Sequence, residues 1–500
     1  MISRILGILP LFLFIFSCTR TPQQPDCSIP QFPIQYILHL DSSQVSVTIE
    51  CNEAGLVTFI LPTFYADNPL LLSGPNYIES LRVVDSCGHP LSFKKGIYTF
   101  GEYASQTISL DSSAVPFFIH YWLNFSEINA DPSKVPRVFY SNGRGYLQGN
   151  YLFAVPQRSQ NIQECWRDSL SLHFSVNLPD GTRWFGNPIE GIFHNIYELA
   201  FFTATVNPEL LFSGSVNTLA YQFVNISGQP GLPSHYQILM DRTDILFSDI
   251  LSVFGPLENE PYTIILNDMG GALEGMYAFN IDGYLTPEIV DSPYTLLYDL
   301  LAHEFIHSWI GVRTGDYEDP WWKEGTTNYL GLKIAARNKL LTAASFEFFL
   351  LQNLSGNQTI QSLPLSQPRV REQLFTRDKM LADEMYRLVY FKGAQVNMLL
   401  DLALQESKPG VNLEKVLDGL IQVYRHGAFH RSDFIGLIEN MAGFKSDSLF
   451  AVYVDQPGVI ADSLLQSTYQ RLIVLGNFGS DFKASGAKRT KSSGNVLFKK

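Results

Sequence analysis

The chain has 500 residues, 46% of them hydrophobic, with glycine and proline scattered rather than gathered in tracts. It can therefore bury a large core and is expected to divide into two or three domains, which excludes a disordered or fibrous protein. A net charge of −13, with no Lys/Arg cluster before the C-terminal tail, excludes a nucleic acid partner, because phosphate binding needs a basic footprint that releases counterions.

The first element is a processing signal. Arg4 forms a short positive region, Ile5 to Phe16 an apolar stretch too short to span a bilayer, and Ser17-Cys18 closes it. Ile15-Phe16-Ser17-Cys18 resembles the lipobox of bacterial lipoproteins. That resemblance implies a signal peptide over residues 1–17, a lipid on Cys18, and a chain anchored in the bacterial cell envelope; an ordinary secreted protein with Cys18 in a disulfide is the alternative. Residues 18–32, rich in Pro, Gln and Thr, read as a tether. The remaining Cys27, Cys51, Cys87 and Cys165 allow one or two disulfides with three pairings, and none has the Cys-x-x-Cys spacing of zinc ribbons.

Residues 33–235 read as a β-rich sandwich or saddle. Val45, Val47 and Ile49 alternate, Leu56 to Leu61 forms an apolar run, and Ser86-Cys87-Gly88 and Pro179-Asp180-Gly181 mark turns. The period then changes. Asp244 can cap a helix through Phe254, Gly255-Pro256 stops it, and Tyr262 to Leu266 reads as a strand. Residues 236–342 are expected to form a thermolysin-like α/β catalytic domain, residues 343–478 a mainly helical domain, and residues 479–500 a flexible basic tail. A helix opens at Asp291-Ser292-Pro293 and runs to about Trp309; others are expected over Glu324 to Asn338, Ala344 to Asn353, Asp383 to Glu406 and Arg431 to Met441.

Inside the first of these helices lies His303-Glu304-Phe305-Ile306-His307. Residues four apart share a helix face, so both imidazoles can meet one metal ion, with Glu304 beside its open coordination position. A catalytic zinc takes three protein ligands and a water, and Glu324, at the expected start of the next helix, is the candidate third ligand. One Zn²⁺ per chain is the expectation. Two imidazoles and a carboxylate suit zinc better than magnesium or calcium.

His303 to Trp309 followed by Glu324-Gly325 resembles the glycyl aminopeptidase family of gluzincins. Phe254-Gly255-Pro256-Leu257 and the segment to Gly270-Gly271-Ala272-Leu273-Glu274 are similar to that family's stretch ending in Gly-Gly-Leu-Glu. Tyr390-Phe391-Lys392-Gly393-Ala394 resembles the Tyr-x-Lys-Gly motif shared with the related aminopeptidase N family. The likeness spans about Pro33 to Leu475, with no C-terminal PDZ domain. Sixteen residues separate His307 from Glu324, fewer than in either family, and Ala272 is an insertion.

This resemblance implies a zinc aminopeptidase acting on short peptides, with Glu304 as general base, Tyr390 donating to the oxyanion, and a preference for Gly or Ala at the substrate N-terminus. It implies that Glu274 holds the substrate ammonium on a strand edge lined by Gly270 and Gly271. A zinc endopeptidase of the same fold and a catalytically silent peptide-binding lipoprotein are the alternatives. His426 and His430 read as surface or packing residues, and His39 as a strand residue.

Overall fold

The structure, a computed structural model, describes residues 32–41, 44–55, 58–62, 78–100, 103–110, 115–125, 138–157, 171–226, 235–257, 261–267, 278–282, 290, 297–311, 314–315, 320–352, 354, 356, 358–367, 379–425, 427–479 and 482. Cys18, Cys27, Cys165, Gly270, Gly271, Glu274 and His426 lie outside them, as does almost all of the expected tail.

The alternation expected in the N-terminal half is a six-stranded sheet. Its strands are β1 (Ile34–Leu40), β2 (Val45–Cys51), β3 (Ile78–Asp85), β4 (Phe117–Leu123), β5 (Leu172–Asn177) and β6 (Glu190–Phe193), in the order β6-β5-β1-β2-β4-β3. Every second residue of β1 and β2 is buried, which is the period-2 signature of a sheet with one face on a core. Phe59, Ile60 and Ile108 of a second, four-stranded sheet share that core. Two buried tyrosines keep their hydroxyls satisfied: Tyr36 donates to Ala154 O at 2.8 Å and Tyr121 to Leu152 O at 2.7 Å. Cys51 is buried at the end of β2, and Cys87 is exposed in the turn after β3.

The second half is built on a four-stranded sheet of β7 (Glu209–Val216), β8 (Leu219–Asn225), β9 (Tyr262–Asn267) and β10 (Ala278–Asp282), in that order. β7 and β8 form an antiparallel hairpin, and β8, β9 and β10 run parallel. Helix α1 (Tyr236–Phe254) connects β8 to β9. It starts eight residues before the expected cap, so Asp244 sits inside the helix and accepts from the Tyr221 hydroxyl at 2.7 Å instead of capping. It ends where glycine predicts, at Gly255 with φ 80°.

α2 (Leu297–Ile306) lies on α1 through Phe305, whose ring stacks on Phe247 with centroids 3.8 Å apart. The expected cap at Asp291-Ser292-Pro293 lies outside the described residues, and the helix ends three residues before Trp309. α3 (Pro320–Arg337) begins four residues before Glu324, because Pro320 suits a first helical position whose N–H needs no partner. α4 (Ala343–Leu350) is capped by Thr342, which accepts from Ser345 N at 3.2 Å. The segment expected as one helix over Asp383 to Glu406 is α5 (Lys379–Tyr386), a π-helical turn over Arg387–Lys392, and α6 (Gly393–Ser407). Hydrophobic period does not reveal one extra residue in a turn.

α7 (Leu413–Val423), α8 (Arg431–Ala442), α9 (Asp447–Tyr453) and α10 (Asp462–Val474) complete the helical part. The architecture is multidomain α+β, as the patterning implied. Among the described residues no helix is long and apolar enough to cross a membrane.

Candidate metal centre and active site

α2 is buried on nearly every side, Leu297, Leu301, Phe305 and Ile306 being wholly or nearly inaccessible. His303 and Glu304 lie on it. His307 follows in the turn, yet its N–H still donates to His303 O at 3.2 Å, which keeps the two imidazoles one turn apart. α3 approaches closely because Gly331 faces α2: a Cβ there would lie 2.8 Å from Asp299 O and 3.2 Å from His303 N. Gly325, on the same helix, faces Gly393 at the start of α6. The helix carrying Glu324 is thus fitted between the helix of the histidines and the helix that follows Tyr390.

His303 Nε2 and His307 Nε2 are 3.0 Å apart, and Glu324 Oε2 lies 3.6 Å from the first and 3.4 Å from the second. Donors about 2.0 to 2.1 Å from a tetrahedral zinc are about 3.3 Å from one another, so the three atoms fit one such ion. The tautomer fits as well. His307 Nδ1 is 3.0 Å from Ile310 O, a bond only Nδ1–H can make, which leaves the Nε2 lone pair for a metal. All three residues have little contact with solvent. Burial opposes ionisation of Glu324, but the Lys323 ammonium and the two imidazoles outweigh it and hold the carboxyl well below the usual carboxylate range.

Around this centre stand two tyrosines. The Tyr390 ring stacks over His303 with centroids 6.0 Å apart and planes at 17°, and the Tyr386 ring stacks on Tyr390 at 4.1 Å and 21°. The π-helical turn carries Tyr390, and its backbone is tied to α3 by Asn328 Nδ2, which donates to Tyr390 O at 3.2 Å. π-helical insertions frequently sit at functional sites because they re-aim side chains. Burial, and then the carboxylates of Glu324, Glu304, Asp299 and Asp383, push the Tyr386 hydroxyl above its ordinary range. Asp299, one turn before His303, is itself pushed well up by burial.

His303, His307 and Glu324 come within reach of one another, and the Tyr390 ring lies beside His303, although they come from three segments. Sequence reasoning passed over Tyr386, although its spacing of four from Tyr390 was a signal for a shared helix face. It also passed over Lys323, next to the third ligand. His39 lies on β1; His430 is exposed, the surface alternative of its reading, and stands at the start of α8, where its N–H donates to Asp433 Oδ2 at 2.8 Å. A second group of three donors, Asp85, Cys87 and His89, lies in the turn after β3. There the Asp85 carboxylate is already occupied by the N–H groups of Cys87 and His89 at 2.8 and 2.9 Å.

Residues 287–453 match the peptidase family M1 domain. No curated protein sequence matches the chain. Among solved structures, an aminopeptidase N family protein from Idiomarina loihiensis is similar, with a TM-score of 0.63 and 15% identity over 87% of this chain and 78% of that one. An M1 zinc metallopeptidase from Deinococcus radiodurans is similar with a TM-score of 0.54 and 15% identity, over 87% of this chain and 96% of that one. A mutant of the Deinococcus protein in complex with a Tyr-Ser-Ala substrate matches with a TM-score of 0.53 and 14% identity, over 86% and 94%. At such identities the likeness speaks for the fold.

A His-Glu-x-x-His helix with a carboxylate from the next helix defines a zinc metallopeptidase of the gluzincin type. The match to the peptidase family M1 domain, over residues 287–453, spans that whole site from His303 to Tyr390.

Proposed function

We propose that the protein removes the N-terminal residue of short peptides, with a preference for Gly or Ala, and acts from a lipid anchor on Cys18 in the bacterial cell envelope. The observation that carries the hydrolytic part is the meeting of His303, His307 and Glu324 at one point, with Glu304 on the same helix and Tyr390 stacked over His303.

His303, His307 and Glu324 would hold the zinc, which would supply Lewis acidity toward the scissile carbonyl and toward a water. Glu304, adjacent to the first ligand on the rigid α2, accepts that water's proton and returns it to the departing amine. The Tyr390 hydroxyl donates to the oxygen that gains charge as the carbonyl is attacked. Its ring lies against Tyr386, with centroids 4.1 Å apart, and near His303 at 6.0 Å, contacts that limit how far the donor can move before the substrate arrives.

Removal of one residue requires that the free amino group be recognised. We assign this to the Glu274 carboxylate, with Gly270 and Gly271 allowing the substrate backbone to approach; the resemblance of that segment to the glycyl aminopeptidase stretch supports the reading. The same resemblance supports the small side-chain preference. The lipobox-like Ile15-Phe16-Ser17-Cys18 supports the anchor.

A panel of aminoacyl amides and matched free and N-acetylated peptides, assayed with and without a chelator, tests the activity. The expected result is chelator-sensitive cleavage of free N-termini, fastest for Gly or Ala, with acetylated peptides barely cut. Equal cleavage of acetylated and free peptides, or an unchanged ratio in Glu274→Ala, would replace the exopeptidase reading with an endopeptidase. For the anchor, Cys18→Ser is expected to release the protein from membranes. Retention of that variant in salt-washed membranes would show that the anchor lies elsewhere.

A further inference from the structure

We propose that Lys323 keeps Glu324 a one-oxygen ligand, so that the zinc retains an open position for its substrate. This rests on the zinc reading above and concerns how the third ligand is aimed. The two oxygens of Glu324 have different partners. Oε2 faces both imidazoles, at 3.6 and 3.4 Å from their Nε2 atoms, whereas Oε1 lies 3.3 Å from Lys323 Nζ. A carboxylate whose outer oxygen is engaged by an ammonium cannot turn both oxygens to a metal without giving up that charge-assisted contact.

The lysine is itself held on its other sides. Its methylenes lie against Gly311, where a Cβ would come within 2.5 to 2.7 Å of Lys323 Cε, Cδ and Cγ; Gly311 also has φ +96°, which an L side chain rarely adopts. Its ammonium lies 4.9 Å from the centre of the Phe201 ring, in cation–π range. Phe201 comes from the N-terminal β-rich half, just before the strand Thr203–Val206. The Lys323 side chain is only 12% exposed, so solvent screens its charge little. One aromatic ring from the β-rich half thereby fixes a cation that fixes the outer oxygen of a metal ligand in the catalytic half. Catalytic zinc sites differ from structural ones in keeping a coordination position free, and a second Glu324 oxygen would occupy it.

Lys323 is on this account a positioning residue, and the readouts must therefore go beyond turnover. Zinc-loaded wild type, Lys323→Met, Lys323→Arg and Phe201→Leu are compared by X-ray absorption at the zinc edge, chelator competition, and kcat and KM. Lys323→Met is expected to gain one zinc–oxygen ligand, to bind zinc no more weakly than wild type, and to lose about ten- to a hundredfold in kcat, the usual scale for removing a partner of a metal ligand. Lys323→Arg is expected to restore the wild-type coordination number. Phe201→Leu, remote from the metal, is expected to move in the same direction as Lys323→Met by a smaller factor. An unchanged coordination number in Lys323→Met, or a loss of activity that tracks loss of zinc, overturns the proposal. A wild type that binds no zinc overturns the functional reading and this inference with it.

Discussion

Gly325 and Gly393 cross backbone against backbone. A Cβ on Gly325 would lie 2.6 Å from Gly393 C, and one on Gly393 would lie 3.0 Å from Gly325 Cα. Gly325 follows the zinc ligand Glu324, and Gly393 lies three residues after Tyr390, so this one contact sets the separation between the third ligand and the tyrosine. It gives a physical reason for the glycine in both the Glu-Gly and the Lys-Gly pairs of the sequence.

Gly325→Ala is therefore expected to push α3 and α6 apart. Overpacking of this kind costs about 1 to 3 kcal/mol of stability, and a displacement of about 1 Å between catalytic groups costs about a hundredfold in kcat. Denaturant titration with steady-state kinetics checks both. Normal kcat in a destabilised Gly325→Ala would show that the crossing supports the fold but does not place the tyrosine.

Tyr390→Phe is expected to keep the ring stack and the zinc while losing about 10²- to 10³-fold in kcat, the scale for removal of one oxyanion donor. KM should move little, because the bond forms as charge develops. Near-normal kcat would shift the donor role to another group, with Tyr386 the first candidate.

Behind the site, α3 is bolted to the helical part by buried charges. Lys333 Nζ lies 2.8 Å from Asp401 Oδ2 and 3.0 Å from Glu414 Oε2, the Tyr329 hydroxyl donates to Asp401 Oδ2 at 2.7 Å, and Arg337 joins Glu414 to Asp249. Lys333→Met would leave two buried carboxylates short of a cation, a change that typically costs about 3 to 5 kcal/mol. Denaturant unfolding measures this. A cost under about 1 kcal/mol would show that water or Arg337 takes over the missing role.

Burial lowers Lys392 from its ordinary 10.5 to about 8, and its ammonium is 3.4 Å from Gln456 O. Below pH 8 the group is charged in both folded and unfolded chains, and the folded chain carries the full cost of burying it. Between about 8 and 10.5 the unfolded chain holds the proton and the folded chain does not, so this group's contribution to stability rises with pH across that window. Stability measured from pH 7.5 to 10.5 should therefore show a rise in wild type relative to Lys392→Met. Parallel curves would mean that Lys392 stays charged in the fold.

Much of this was legible in the chain. Alternation marked β1 and β2 because one face of their sheet lies on a core, and Gly255 marked the end of α1. His303, Glu304, His307 and Glu324 were legible because residues four apart on a helix must share a face and zinc needs a third donor. The remainder was set by tertiary structure. The start of α1 lies well before Asp244 because contacts with Tyr221, whose ring meets Phe247 and whose hydroxyl donates to Asp244, outweigh a capping preference. The π-helical turn at Tyr390 adds a residue without changing the apolar pattern. Lys323 looked like any surface lysine until Gly311 and Phe201 closed around it.

Metal content paired with turnover tests the central claim most directly. Purified wild type, Glu304→Gln and His307→Ala are analysed for bound zinc and assayed on an aminoacyl amide before chelation, after it, and after zinc is returned. One zinc per chain is expected in wild type and in Glu304→Gln, with little or none in His307→Ala; turnover should appear only in wild type and return with the metal. Zinc-free protein that is fully active, or near-normal turnover in Glu304→Gln, would contradict the account.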